Sequence, residues 1–373
     1  MWFFVFSCVF PACLVSVLGT ALMRRLAPKW GLVDQPAARK VHQTPTPLGG
    51  GIGIWLGVVL PIAAVQLIAI WLANAENIPA WLPLPQSIAV HIDGILYRSG
   101  QLWGILAAGT VLAAMGLWDD RANLPWWPRL LVQVLVAAFL VIVMDVRATV
   151  FAPWPIVGYV LSILWIMTLV NSFNFLDNMD GLSSGIALIA AVLFAVVMLT
   201  GTSEPRYLVG GALLVLAGSL SGFLFFHNWP PARIFMGDSG SYFIGLLLAS
   251  FTMLGTYYEH SEAEASRHVI LAPLCILAVP LYDLCSVVLI RLKQGRSPFH
   301  PDKSHFSHRL VELGLRPSRA VFTIYLATLT TGLGGLLLYR VADWTGAWIV
   351  VLLIACVLAM VGILETAARR MAK

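Results

Sequence analysis

Nearly all the side chains in this sequence that are fit for catalysis fall in five short polar stretches between long apolar runs. Gly116-Leu-Trp-Asp119-Asp120-Arg121 holds a carboxylate pair, and Met236-Gly-Asp238-Ser239-Gly-Ser241 holds a single acid among small residues. Asn171-Ser-Phe-Asn174-Phe-Leu-Asp177-Asn178-Met-Asp180-Gly181 spaces amides and acids through one segment. The other two stretches are rich in bases: Asp34 to His42, with Lys40, followed by Gly49-Gly50-Gly51, and Arg296 to Arg309, with Lys303, His305 and His308. Carboxylates bordering hydrocarbon are costly and mark function. Asp119, Asp120, Asp177, Asp180 and Asp238 gathered on one face would repel one another and raise their own pKa values. A divalent cation relieves that repulsion, and an oxygen donor set of Asp and Asn suits Mg²⁺, or Mn²⁺, rather than zinc. Mg²⁺ in turn usually holds phosphate oxygens, so a phosphoryl substrate follows.

Each stretch alone also has a structural reading. The Asp pair can be a solvated helix end, and Asn171 and Asn174 can bond between helices. Asp238 or Ser239 can cap a helix, and His305 and His308 can be a surface pair. The three glycines make a turn into an apolar run. No strand precedes them, so they are not a dinucleotide fingerprint. The case for chemistry rests on all five stretches lying on one side of a membrane.

Composition supplies that membrane. Of 373 residues, 59% are hydrophobic and 11% charged, where soluble domains carry about 25% charged. Mean hydropathy is +0.85. One membrane-embedded unit over 1–373 is expected, not a set of soluble domains. At about 20 apolar residues per crossing, spans fall near 2–22, 49–71, 100–117, 129–145, 154–171, 181–200, 208–226, 240–256, 268–291, 319–338 and 346–366. The fold class is therefore all-α, a polytopic transmembrane bundle of about eleven spans. The stretch 78–99, broken by Pro79, Pro83 and Pro85, reads as an interfacial loop rather than a span, with an amphipathic surface helix or a hairpin as the alternatives. Arg24, Arg25 and Lys29 follow the first run where a cleaved signal would put them before it. A retained span with its N-terminus outside is expected. The inner segments are then near 23–48, 118–128, 172–180, 227–239 and 292–318, and with Arg129, Arg291 and Arg319 at their edges and the tail they hold 18 of the 23 Lys and Arg residues. That asymmetry obeys the positive-inside rule and puts every polar stretch at the cytoplasmic face. The five cysteines sit in apolar runs without a CxxC pair and read as small buried hydrophobes. Nothing calls for nucleic acid as a partner. The contrasting class is a secondary transporter of an anionic solute, but transporters place ionisable groups near the midplane on broken helices. Here only Asp283 lies that deep.

In motif order over roughly residues 30–320, the chain resembles the polyprenyl-phosphate N-acetylhexosamine-1-phosphate transferases. These include the initiating enzymes of enterobacterial common antigen, O-antigen and wall teichoic acid synthesis, and phospho-MurNAc-pentapeptide translocase is a more distant branch. The resemblance implies a bundle of ten or eleven spans, often dimeric, with a cytoplasmic catalytic cleft. It implies UDP-sugar and polyprenyl phosphate as substrates and Mg²⁺ as cofactor. Asp119 and Asp120 match the family's acidic pair at the lipid phosphate, and Asp238 matches the principal metal ligand. Asn171, Asn174 and Asp177 match a set around metal and pyrophosphate, and Asp180 matches the residue facing uracil. Lys40 and His42 match a basic loop approaching the diphosphate. His305 and His308, with Arg296 nearby, match a region implicated in nucleotide-sugar recognition. Two positions depart from the family pattern: Ser307 replaces the middle histidine of His-x-His-His, and Asn178 stands where many members have Gly. Asp283 and the Pro301-Asp302-Lys303-Ser-His305 segment favour the hexosamine branch.

Overall fold

The computed structural model describes residues 1–36, 44–74, 86–148, 154–202, 205–256, 264–298, 302 and 304–371. In hydrocarbon every backbone N–H and C=O must be paired within the protein, and a continuous apolar run of about 20 residues does this within itself as a helix. These are α1 (Trp2–Leu26), α2 (Gly50–Asn74), α3 (Gln86–Ala122), α4 (Trp126–Ala138), α5 (Pro155–Leu176), α6 (Leu182–Thr200) and α7 (Tyr207–Phe223). They continue as α8 (Gly237–Gly255), α9 (Ala272–Ile276), α10 (Ala278–Lys293), α11 (Phe306–Glu312), α12 (Pro317–Leu337) and α13 (Trp344–Met371). The protein is an all-α multi-pass membrane protein.

Among the described residues nine helices are long and apolar enough to cross a membrane, or ten if the bent pair α9–α10 is one span. The expected eleventh is α8. Its 19 residues are almost all buried in protein, and its first turn carries Asp238, Ser239 and Ser241, so it lacks the apolar character of a lipid-facing helix. The bend between α9 and α10 is 66°. It falls at Leu277, three residues before Pro280, whose ring is incompatible with an unbroken helical turn there. Of the readings open for 78–99, the loop is overturned for the second half and a helix stands there: from Gln86 the chain is already α3, which runs without a break to Ala122. Beyond Pro85 no proline or glycine pair interrupts the helix, and residues 75–85 lie outside the described ones. The cysteines also differ from expectation. All five are free, but only Cys275 is buried, and Cys285 and Cys356 lie on the outer surface of the bundle.

α8 is the axis of the fold. It packs against α2, α3 and α5, while α1 packs against α2 and α7. Close approach between helices in a bilayer needs small residues. A Cβ on Gly51 would overlap the backbone of Gly240, and one on Gly116 would overlap the backbone of Asp238 and Ser239. Backbone bonds lock the same junction. Phe235 N donates to Pro47 O at 2.9 Å, Gly50 N to Phe235 O at 2.9 Å and Gly51 N to Met236 O at 3.0 Å. These bonds satisfy the otherwise unpaired first amides of α2 and set the start of α8. A two-residue antiparallel pair, Val33–Asp34 with Thr46–Pro47, closes the loop beneath them.

Candidate active site

The C-terminal ends of α3, α5 and α10 and the N-terminal ends of α8, α11 and α12 surround one cavity of about 590 Å³. Alternating helices bring these six ends to the same side of the bundle. Asp119, Asp120, Asp177, Asp180 and Asp238 all line the cavity, as do Asn174, His305 and His308.

The start of α8 organises the acids. The Asp238 amide donates to Asp120 Oδ1 at 2.9 Å, and the Gly237 amide faces the Asp177 carboxylate. Anions belong at this positive end of a helix. Gly237 has φ +74°, and the Asp120 carboxylate fills the space a side chain would need. Asp120 Oδ2 is buried without a hydrogen-bond partner. Asp238 is held from two sides, by Asn174 Nδ2 at 2.8 Å and Tyr242 OH at 3.2 Å. Arg129, from the first turn of α4, donates to Asp119 at 2.5 Å and lies 3.5 Å from Asp238. The second Asp119 oxygen accepts the Leu124 amide at 2.6 Å.

Asp177 follows α5 directly. Burial, and then the negative charges of Asp238 and Asp180, push its carboxyl up to about 8 against the pull of the Gly237 amide. The residues fit a hard cation. Their donor set is entirely oxygen, and Asp177 and Asp238 are close enough to repel. No three His, Cys, Asp or Glu side chains among the described residues already surround one point. Mg²⁺ does not need such a cage, because it is commonly held by one or two carboxylates together with substrate phosphates and water.

The opposite wall is basic and aromatic. Arg291 donates to Asp302 at 2.9 Å and lies 5.2 Å from the centre of the Phe175 ring. Burial works against the Asp302 charge, but Arg291 and the two donors of Ser304 outweigh it and hold the carboxyl down at about 2. Ser307 Oγ donates to Asn178 Oδ1 at 2.6 Å, so the two positions that depart from the family pattern meet. Asp180 accepts the Ala232 amide at 2.9 Å. Asn228 accepts the Gly181 amide at 2.9 Å and donates to Ile234 O at 3.0 Å, which ties the loop after α5 to the one before α8.

Residues 102–256 match the model of glycosyl transferase family 4. Over 350 residues the chain is 30% identical to a protein of Bacillus subtilis named probable undecaprenyl-phosphate N-acetylglucosaminyl 1-phosphate transferase, covering 91% of this chain and 87% of that one. It is 34% identical over 335 residues to the decaprenyl-phosphate N-acetylglucosaminephosphotransferase of Mycobacterium leprae, covering 84% and 79%. A Salmonella typhi undecaprenyl-phosphate alpha-N-acetylglucosaminyl 1-phosphate transferase is 27% identical over 317 residues, covering 82% and 76%. The chain belongs to the polyprenyl-phosphate N-acetylglucosamine-1-phosphate transferase family.

Two residues that the sequence assigned to this transferase's site do not reach the cavity. Asn171 donates instead to Gln133 of α4 and to Met167 O, both at 2.8 Å, one turn deeper than Asn174. Arg296 is exposed beyond the end of α10, and Arg291 takes the place on the cavity wall. Lys40 and His42 lie outside the described residues. Sequence reasoning also missed Arg129, Arg291, Asp302 and Tyr242 as site residues. Arg129 had a usable signal: a cation in the first turn of a helix opposes the dipole there, so it needs an anionic partner. Arg291 carried none beyond being a base at the end of an apolar run.

Proposed function

We propose that the protein transfers N-acetylglucosamine-1-phosphate from UDP-N-acetylglucosamine to undecaprenyl phosphate, releasing UMP, as the first step of a cell-envelope polysaccharide. The reading places the cavity at the cytoplasmic face of a bacterial plasma membrane, in keeping with the excess of Lys and Arg on that side. The observation that carries it is the convergence of Asp119, Asp120, Asp177, Asp180 and Asp238 with Arg129 and Arg291 on one cavity at helix ends. The names of the relatives supply the substrate class.

In the transfer, an oxygen of the lipid phosphate attacks the β-phosphorus in line, and the bond from that phosphorus to the UMP oxygen breaks. Mg²⁺ on Asp238 and Asp177 would neutralise charge on the diphosphate as this bond opens. Arg129 adds fixed positive charge beside Asp238 and holds Asp119. Both Asp119 oxygens are already engaged, by Leu124 N–H and by Arg129, so Asp119 suits positioning better than nucleophilic attack. A general base is scarcely required, because a phosphate monoester with a second pKa of about 6 is largely dianionic near neutrality.

The test uses full-length enzyme purified in detergent, undecaprenyl phosphate and a panel of UDP-sugars, with the lipid product identified by mass. An N-acetylglucosamine-1-phosphate adduct formed with UMP, dependent on Mg²⁺ and lost in Asp238→Asn, is the expected result. No lipid-linked product with any UDP-sugar would overturn the activity. Near-normal turnover of Asp238→Asn would overturn the metal assignment.

A further inference from the structure

Asp283 is a buried acid within the membrane helix α10 that the proposed chemistry leaves without a role. It lies in α10, fully buried, and both of its oxygens are used. Oδ2 is 3.0 Å from His305 Nδ1, and Oδ1 accepts the Phe306 amide at 2.6 Å. His305 itself is nearly buried, stands perpendicular to the Phe175 ring with ring centres 5.5 Å apart, and lines the cavity. Its remaining neighbour of like kind is His308, 6.3 Å away between ring centres.

We propose that Asp283 is a positioning residue that fixes His305 as the Nδ1–H tautomer, so that Nε2 is presented to the cavity as a hydrogen-bond acceptor for a hydroxyl or amide N–H of the donor sugar. The two ring nitrogens are not equivalent. A hydrogen bond made by one determines what the other can do, and a carboxylate can only accept. Nδ1 must therefore carry a proton, and a neutral ring keeps its lone pair on Nε2. An acceptor of this kind does not suit a phosphate, which is itself an acceptor. It suits the hydroxyl-rich, neutral part of the substrate. The division of the cavity agrees, since the five aspartates with Arg129 handle the charged groups at the ends of α3, α5 and α8, while His305 comes from the start of α11. The perpendicular Phe175 ring and the Asp283 carboxylate hold the ring from two directions, so its orientation is fixed before substrate arrives.

This inference names the recognition of the sugar within the transferase reading, and its test has one arm independent of activity. In the full-length protein with ¹⁵N-labelled histidine, assigned by comparison with His305→Gln, solid-state NMR at pH 8 should show His305 with a protonated Nδ1 and an unprotonated Nε2. Asp283→Asn keeps an oxygen for the Phe306 amide but turns a donor toward Nδ1, so His305 should switch to the opposite tautomer. In turnover assays with UDP-N-acetylglucosamine, Asp283→Asn should raise the KM for the UDP-sugar at least tenfold and leave the KM for undecaprenyl phosphate within twofold. His305→Gln should mask the substitution, so that the double variant is no worse than His305→Gln alone. A role confined to capping the start of α11 would be additive with His305→Gln and would leave the tautomer as it was. An Nε2–H ring in the unmodified protein, or additive effects, would overturn the inference. If the unmodified protein does not use UDP-N-acetylglucosamine, the proposed function fails, and the wild-type spectrum still decides whether Asp283 sets the tautomer.

Discussion

Asp120 Oδ1 accepts the backbone amide of Asp238 at 2.9 Å, so the second acid of the Asp119-Asp120 pair caps the helix that carries the metal-ligand candidate. A side chain supplied by α3 thus sets the first turn of α8. Replacing Asp120 with alanine removes that acceptor from a buried helix start and should cost about 1–3 kcal/mol. Asp120→Asn keeps an oxygen in place and should stay near wild type. Thermal unfolding of the detergent-solubilised variants distinguishes the two, and equal losses for Ala and Asn would show that the charge rather than the cap is what matters.

The raised carboxyl of Asp177 predicts proton-linked cation binding. Its value in the folded protein is about 8, lifted by burial and by Asp238 and Asp180, so between its ordinary value near 4 and about 8 the cation-free protein holds a proton there. Mg²⁺ binding at Asp177 must displace that proton. Apparent Mg²⁺ affinity should fall by up to about tenfold per unit as pH drops below 8, and should level off above it. Calorimetry in buffers of different ionisation enthalpy should register about one proton released per Mg²⁺ at pH 7 and less at pH 9. A binding heat independent of buffer would place the cation away from Asp177.

The junction between α2 and α8 leaves no room for a methyl group at Gly51, which lies against the Gly240 backbone. Gly51→Ala must push the two helices apart, at about 1–3 kcal/mol for overpacking, and the displaced Asp238 should lower turnover with it. Gly94→Ala is the matching control, because Gly94 lies in α3 with open space around it. A lower unfolding midpoint in the first variant and none in the second is the expected pattern.

Arg291 and Asp302 tie the segment after α10 to the cavity wall. Asp302→Asn should cost about 1.5–3 kcal/mol at neutral pH, the range for a hydrogen bond between charged groups. The direction with pH follows from the Asp302 carboxyl being held at about 2, below its ordinary 3.8. The stabilisation is complete above about 4 and disappears as pH falls through about 2. The midpoint gap between wild type and Asp302→Asn should therefore be constant from pH 8 to 5 and narrow below pH 4. A gap that instead closed near pH 6 would point to a different titrating group.

The helices and the side on which the chemistry gathers could be read from the chain alone, because both follow from local rules. Continuous apolar runs of about 20 residues cross a bilayer as helices, and the skew of Lys and Arg, with the five polar stretches between runs, leaves one face for the acids. Asp119, Asp120, Asp177, Asp180 and Asp238 accordingly meet in one cavity. Which neighbour in a motif faces that cavity was not legible. Asn171 and Asn174 are of the same type and three residues apart, yet only Asn174 reaches Asp238, because Gln133 of α4 draws Asn171 away. Arg291 and Arg296 lie within one segment, and the end of α10 buries the first and leaves the second in solvent. The same holds for α8, where packing on α2, α3 and α5 shelters a polar first turn that composition alone would not place inside a bundle. Each of these outcomes depends on partners more than thirty residues away in the chain or on a single turn of helix rotation. A linear pattern encodes how often a residue type recurs; the packing of distant helices decides which of those residues face one another.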